Sequence, residues 1–467
     1  MTSKSIPYYP RALDFEALMR EYLPAPAYFD VAATQSRDEL RAQQNERFLK
    51  QIKRGWQVPF YKRHWSAAGL EPGDIRSLDD LGKIPPYSVS DLRDSLEKNP
   101  PWADYIGIDP ENDEPLPMIL HTSGGTTGLP RPMIYSPVDR EVMNILSGRR
   151  AYMQGVRPFD LVQITAAMGL PNGGYAFREG LWKYSGAVPV MAGSGLLTPT
   201  RRQVEIIKAW KVNFLAGFPP FLRHIALVAR DEMNIDPREL KLKGLLTHLG
   251  TENRAALEDL WGAPAYDSYA TNECGGIACE CSYKTGLHIY EDAFVTEVND
   301  PVTLTPKQDG ERGTLFLTAL FKYAAPVIRY NVNDTSSFMP GVCECGNRHR
   351  RLEKIFGRSD NMIKLRGINI YPEAVGSLVG ENKGCNGEYL CVVERSGEAG
   401  RDDMTVMVEL APGGSAATLE EQLATRFKEA LGVKLLVKAV ASGALAPQTG
   451  VTELTKARRV LDKREKN

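Results

Sequence analysis

The chain has 467 residues, 43% apolar and 25% charged, with 57 Lys+Arg against 58 Asp+Glu for a net charge of -1. That length suits about three domain-sized units or two unequal ones, and the composition excludes wholesale disorder, collagen and coiled coil. The charge balance gives no reason to expect a nucleic acid or an anionic membrane as partner. No apolar run approaches the ~18 residues of a membrane span. The start, MTSKSIPYYPRALDFEALMREYL, carries acids early and does not read as a signal peptide. Seven unevenly spread cysteines argue against a disulfide framework and for a reducing cytoplasm.

The first hundred residues read as mostly helical. Leu40 to Lys53 mixes charged and apolar positions as a surface helix does. SLDDLGKIPPYSVSDLRDSL predicts short helices broken at Pro85-Pro86. From about residue 117 short apolar runs (PMILHTS, DLVQIT, NFLAGF) alternate with helical stretches such as RRQVEIIKAW and PPFLRHIALVARDEM. Strands alternating with helices predict a parallel, doubly wound α/β region. Residues 287–340 turn strand-rich, with GERGTLFLTAL and APVIRYNVND, and predict a β-subdomain. After FGRSDNMIKLRGINIYP comes a small α+β module, with strands EYLCVVER, DDMTVMVELA and VKLLVKAV. Its helix TLEEQLATRFKEALGV is ended by Gly432.

The sharpest feature stands after the run PMIL: Thr122-Ser123-Gly124-Gly125-Thr126-Thr127-Gly128, then Leu129-Pro130-Arg131. Glycines let successive backbone N–H groups face inward and form an anion-binding nest. The hydroxyls add donors without bulk, and Arg131 adds positive charge. Triphosphate is the natural ligand. The spacing is neither G-x-x-x-x-G-K-[ST] nor G-x-G-x-x-G.

At this loop the chain resembles the adenylate-forming superfamily of acyl-CoA synthetases, adenylation domains and luciferases, whose signature is T-S-G-[ST]-T-G-x-P-K. Gly125 is one extra small residue, and Arg131 stands where lysine is usual. The doubled glycine is similar to the phenylacetate–CoA ligase branch. Further motifs come in the expected order. Tyr269-Ala270-Thr271-Asn272-Glu273 resembles Y-G-x-[ST]-E, which implies an aromatic ring beside adenine and Glu273 on Mg²⁺. Arg329-Tyr330-Asn331-Val332-Asn333-Asp334 resembles R-Y-R-T-x-D, which implies Asp334 on the ribose hydroxyls. A carboxylate suits a vicinal diol because it accepts two hydrogen bonds. Gly357-Arg358-Ser359-Asp360 through Arg366-Gly367-Ile368-Asn369 and Pro372 is close to the branch's G-R-x-D-D-M-x-x-x-R-G-x-N-x-x-P. Thr455-Lys456 through Asp462 resembles the C-terminal G-K-x-x-R-V-x-D, without its glycine.

The resemblance covers nearly the whole chain and implies a large N-terminal ATP- and acid-binding domain over residues 1–359. It also implies a mobile α+β C-terminal domain over 360–467, hinged at Asp360. Arg358 would join Glu273 and Lys456 in catalysis and contact the nucleotide, and the stretch near Gly367 would line the thiol tunnel. The activity implied is ATP-dependent conversion of an aryl or arylacetic acid to acyl-AMP, then to a coenzyme A thioester. Transfer to an amine or a carrier-protein thiol is the alternative. The chemistry agrees: a carboxylate is ionised at pH 7 and attacks phosphorus without a general base. The protein has then to position two anions and stabilise charge. No G-x-S-x-G elbow is present.

Cys343-Glu344-Cys345-Gly346 is a tight C-x-C, and Cys279, Cys281 and His288 stand upstream. Cys281, His288, Cys343 and Cys345 make a set suited to tetrahedral structural Zn²⁺, with Cys279 as a substitute for Cys281 and unbound thiols as the alternative. Such a zinc, with an E-C-x4-G-L-H pattern, is found in some relatives. Met168 to Tyr175 and Ala216-Gly217-Phe218-Pro219-Pro220 resemble walls of the branch's acyl pocket, so Tyr175, Phe177, Gly217, Phe218 and Ala270 are expected to line it. The aromatics among them would form a flat apolar slot. His121, beside the loop, has no partner in sequence. A homodimer is compatible with all of this.

Overall fold

A computed structural model describes residues 6, 8–109, 113–122, 130–250, 252–359, 363–365, 368–370, 372–396, 401–452 and 457–464. The chain divides into two units: residues 1–160, 168–189 and 268–354 form one, and residues 161–167, 190–267 and 355–467 the other. No helix among the described residues is long and apolar enough to cross a membrane.

The first unit begins mostly helical, as the sequence predicts, with a long helix Arg37–Gly55 and then the short helices Leu78–Lys83 and Val89–Lys98 on either side of Pro85-Pro86. Ser36 and Glu39 form a reciprocal capping box on the first of these, which satisfies two of the N–H groups a helix start leaves open. The run PMILHTS departs from expectation. Its strand Ile119–Thr122 pairs antiparallel with Pro132–Tyr135 and does not join the parallel sheet. The nine residues between them are too few for the crossover that parallel pairing requires, so this is a hairpin whose connection is the glycine–threonine loop.

Helix Pro137–Met153 comes next, capped by Ser136 and started by Pro137. It packs on helix Gly173–Tyr184 through two glycines: a Cβ at Gly148 would collide with Tyr184, and one at Gly180 with Ser147. Two antiparallel sheets complete the unit. One contains the meander Phe294–Asn299, Gly313–Ala319 and Tyr330–Ser336. The other carries Ser268–Thr271, Gly275–Cys279 and Leu287–Ile289.

The second unit holds the parallel sheet. Leu161–Ile164, Phe214–Ala216, Gly244–Leu246 and Ala265–Tyr266 pair in parallel in that order, with Val188–Met191 at the edge beyond Leu161–Ile164. Its core gathers Val204, Ile207, Leu222, Ile225, Leu245 and Trp261. The C-terminal module has a separate core, including Val375, Tyr389, Val406, Leu423 and Phe427. There the antiparallel pair Cys385–Ser396 and Arg401–Leu410 is flanked by parallel edge strands Val460–Asp462 and Leu436–Val440. Gly432 ends helix Ala416–Leu431 in the left-handed region, φ 71°, as expected.

Within this unit a ring of four charges ties the parallel-sheet segment to the C-terminal module. Arg223 pairs with Glu252 at 2.8 Å and with Glu388. Arg459 pairs with the same two carboxylates at 2.9 and 2.8 Å.

Candidate active site

The hairpin holds the ends of the loop. Thr122 is buried, and its N–H donates to the Leu170 carbonyl at 3.0 Å. Arg131, also buried, forms an ion pair with Glu273, which accepts a further hydrogen bond from the Tyr330 hydroxyl at 3.3 Å. Burial pulls the Arg131 guanidinium down, but Glu273, Tyr330 and Tyr105 outweigh it and hold the group above its ordinary value. So the cation and the carboxylate from two distant motifs meet. Ser123, Gly124, Gly125, Thr126, Thr127 and Gly128 lie outside the described residues, as do Asp360, Gly367 and Lys456.

The two nucleotide-motif residues also meet. The buried Tyr269 donates its hydroxyl to Asp334 Oδ2 at 2.6 Å. Each is fixed by a strand, Ser268–Thr271 and Tyr330–Ser336. Ala270 is exposed beside Tyr269, where the ladder shifts register. The other unit carries Gly217, Phe218 and Arg358. Gly217 donates its N–H to the Leu246 carbonyl at 3.0 Å, and a Cβ there would strike the Thr165 hydroxyl. Phe218 stacks on His248 with ring centres 5.4 Å apart. Arg358 is half-buried in the short strand Gly357–Arg358.

A cavity of about 220 Å³ opens between helices Pro137–Met153 and Gly173–Tyr184, with Tyr135, Arg140, Asn144 and Tyr175 in its wall. A smaller one is lined by Arg131, Tyr135, Glu273 and Lys322. Tyr135 is the wall common to both, and its hydroxyl donates to the Asn272 carbonyl at 2.5 Å. Tyr175 thus borders the larger cavity. Phe177 instead lies buried under the Arg150 guanidinium, 4.5 Å from its ring centre, and lines neither cavity. His121 sits between Tyr135 and Tyr175, at 5.9 and 5.1 Å. Burial first, and Arg140 second, lower its pKa, so it is neutral at pH 7.

Sequence reasoning missed Tyr135, Arg140 and Lys322. Lys322 is fully buried, 4.4 Å from the Tyr135 ring centre, and desolvation lowers its pKa. Nothing in a lone lysine distinguishes this setting from a solvated one. Tyr330 lies inside the RYNVND motif, so its signal was on hand.

Cys281, His288, Cys343 and Cys345 converge, with all four ligand atoms within 4.8 Å of one another. Cys281 Sγ lies 3.7 Å from Cys343 Sγ, and Cys345 Sγ lies 3.4 Å from His288 Nε2. Zn–S bonds of about 2.3 Å in a tetrahedron put sulfurs roughly 3.8 Å apart, so the set has the size of a zinc site. Cys279 faces away, 3.1 Å from the Tyr290 hydroxyl, which leaves Cys281 in the set.

Residues 367–464 match the family model of the AMP-binding enzyme C-terminal domain. The chain is 32% identical over 455 residues to a phenylacetate–coenzyme A ligase of Aromatoleum evansii, covering 95% of this chain and 99% of the relative. It is 31% identical to the phenylacetate–coenzyme A ligase of Escherichia coli (strain K12), covering 93% and 97%. The crystal structure of 2-hydroxyisobutyryl-CoA ligase in its postadenylation state, in complex with R3-HIB-AMP, superposes with a TM-score of 0.79 at 27% identity over 99% of this chain and 96% of that one. With near-full-length identity of this order, and with the motif residues converging as described, the chain belongs to the phenylacetate–CoA ligase family of adenylate-forming enzymes.

Proposed function

We propose that this ligase converts an aryl or arylacetic acid, with ATP, to acyl-AMP and pyrophosphate, and then to the coenzyme A thioester with release of AMP. The observation that carries the site assignment is the convergence of Arg131, Glu273 and Tyr330 beside Tyr135, with Tyr269 and Asp334 paired. In the first step the substrate carboxylate attacks the α-phosphorus and pyrophosphate leaves. Arg131 and the loop 122–128 bind phosphate oxygens, and Glu273 supplies the carboxylate for Mg²⁺, which neutralises charge on the transferring group when bound. Lys456 and Arg358 stabilise the developing negative charge. Tyr269 flanks adenine, and Asp334 takes the ribose hydroxyls. In the second step the thiol sulfur attacks the acyl carbon and AMP leaves with the bonding electrons. The stretch at Gly367 borders the thiol path.

We place the domain boundary at 359/360, with Asp360 as hinge. Cys281, His288, Cys343 and Cys345 would hold a structural zinc, which closes two loops and leaves no position for water. We place the protein in a reducing cytoplasm on the odd number and uneven spread of its seven cysteines. ATP–pyrophosphate exchange across a panel of carboxylic acids tests the first step, and AMP release with and without coenzyme A tests the acceptor. Exchange that depends on no acid, or AMP release indifferent to coenzyme A, would sink the corresponding half.

A further inference from the structure

The wall of the cavity between helices Pro137–Met153 and Gly173–Tyr184 is not made of apolar and aromatic residues alone. Three cations line it: Arg140, Arg178 and Lys183. Two of them are already matched. Arg178 pairs with Glu179, and Lys183 pairs with Glu179 at 3.0 Å and Glu141 at 2.6 Å. Glu141 is further held by the hydroxyls of Tyr9 and Tyr184, at 2.5 and 2.6 Å.

Arg140 differs. It is 6% exposed, and its Nη1 donates at 2.5 Å to the side-chain oxygen of Asn172, a neutral group. Among the described residues it forms no ion pair. Burial outweighs the opposing influence of Tyr135, Glu179, Tyr9 and Glu141 and holds its pKa below the ordinary value. One turn further along the same helix face, the side-chain oxygen of Asn144 is buried with no hydrogen-bond partner. A buried guanidinium without a counter-ion is costly, and it is tolerated where a ligand supplies the charge. The amide of Asn144 can rotate to present its NH₂ to the same group.

The volume adds a second constraint. A cavity of about 150 Å³ accommodates benzene, so about 220 Å³ has room for a ring and a small substituent. Tyr135 lines both this space and the smaller cavity at the Arg131–Glu273 pair, so the two are neighbours across one ring.

We propose that this cavity is the acyl chamber and that Arg140 selects an aryl acid carrying a second carboxylate, which it binds as the missing counter-ion with help from Asn144. This rests on the proposed adenylation. Arg140 is then a specificity-determining residue, and the preferred substrate is a dianion.

The test compares 4-carboxyphenylacetate with phenylacetate in pyrophosphate exchange by the full chain. The expected ratio of kcat/KM is at least about tenfold in favour of the dicarboxylate, since a site built for a charged group discriminates strongly against the analogue lacking it. Arg140→Leu should collapse or invert that ratio, and Arg140→Lys should retain part of it. Using the ratio removes any uniform loss from altered folding, which a thermal melt of each variant reports separately. Calorimetric binding of 4-carboxyphenylacetate without ATP should weaken at least about tenfold in Arg140→Leu. Preference for phenylacetate by the unaltered protein, or an unchanged ratio in Arg140→Leu, overturns the assignment. Binding that depends on Arg140 without exchange for any acid would overturn the adenylation reading and leave the anion site standing.

Discussion

Tyr269 and Asp334 illustrate what a single hydrogen bond does at this site. The tyrosine hydroxyl occupies one oxygen of the carboxylate and so restrains its rotamer. Tyr269→Phe keeps the ring and deletes that hydrogen bond, a change worth about 1 kcal/mol. We expect KM for ATP in pyrophosphate exchange to rise about fivefold with kcat little altered. A fall in kcat at constant KM would mean that the hydroxyl acts on the transition state instead. Both residues were legible because each stands in a motif with a chemical reason for its residue type. Arg140 and Lys322 were not, since burial decides their behaviour and a sequence does not reveal which single cation is buried. Nor does a sequence reveal that the ring of Phe177 packs under Arg150.

At the scale of elements, the strands and helices arise from short apolar runs and capping residues, and most were readable in order. Pairing was less so. The strand Ile119–Thr122 has the same apolar texture as Leu161–Ile164, yet one is in a hairpin and the other in the parallel sheet. The difference lies in the connection that leaves each strand, a loop of nine residues or a helix. The cysteine–histidine set brings Cys281 and the strand residue His288 together with Cys343 and Cys345. One zinc per chain is therefore expected on elemental analysis of the pure protein. Stripping it with a strong chelator should lower the melting temperature by several degrees, since metal affinity is linked to folding. Protein that contains no zinc and melts unchanged after chelation would count against the site.

Across the whole molecule three histidines, His121 and His349 buried and His224 half-buried, make stability sensitive to acid. His121, His224 and His349 are each lowered below the usual imidazole value, with burial the largest cause. The unfolded chain therefore binds protons on these groups that the folded chain refuses. Stability is complete above the unfolded value of about 6.5 and declines as the pH falls through the folded values. The urea midpoint should drop between about pH 7 and pH 5. His349→Asn, less stable at every pH, should show a shallower decline; an unchanged slope would remove His349 from this account. The division between the two units was only partly legible, because three separated stretches make up each one and sequence order conceals that interleaving.

The ring of Arg223, Glu252, Glu388 and Arg459 can be assessed by a double-mutant cycle. Arg459→Met alone leaves carboxylates short of a partner and should cost about 3 kcal/mol. Adding Glu388→Gln should cost at least about 1 kcal/mol less than the sum of the single changes; strict additivity in urea unfolding would mean the ring is not coupled. Arg223 and Glu252 belong to the parallel-sheet segment, and Glu388 and Arg459 to the C-terminal module. Each side therefore owns one cation and one anion that already touch. If the two pieces part, the ring opens along its seam into two self-neutral couples, and no face is left with a bare charge. Such an opening would lose only the crosswise half of the ion pairs, Arg223 with Glu388 and Arg459 with Glu252.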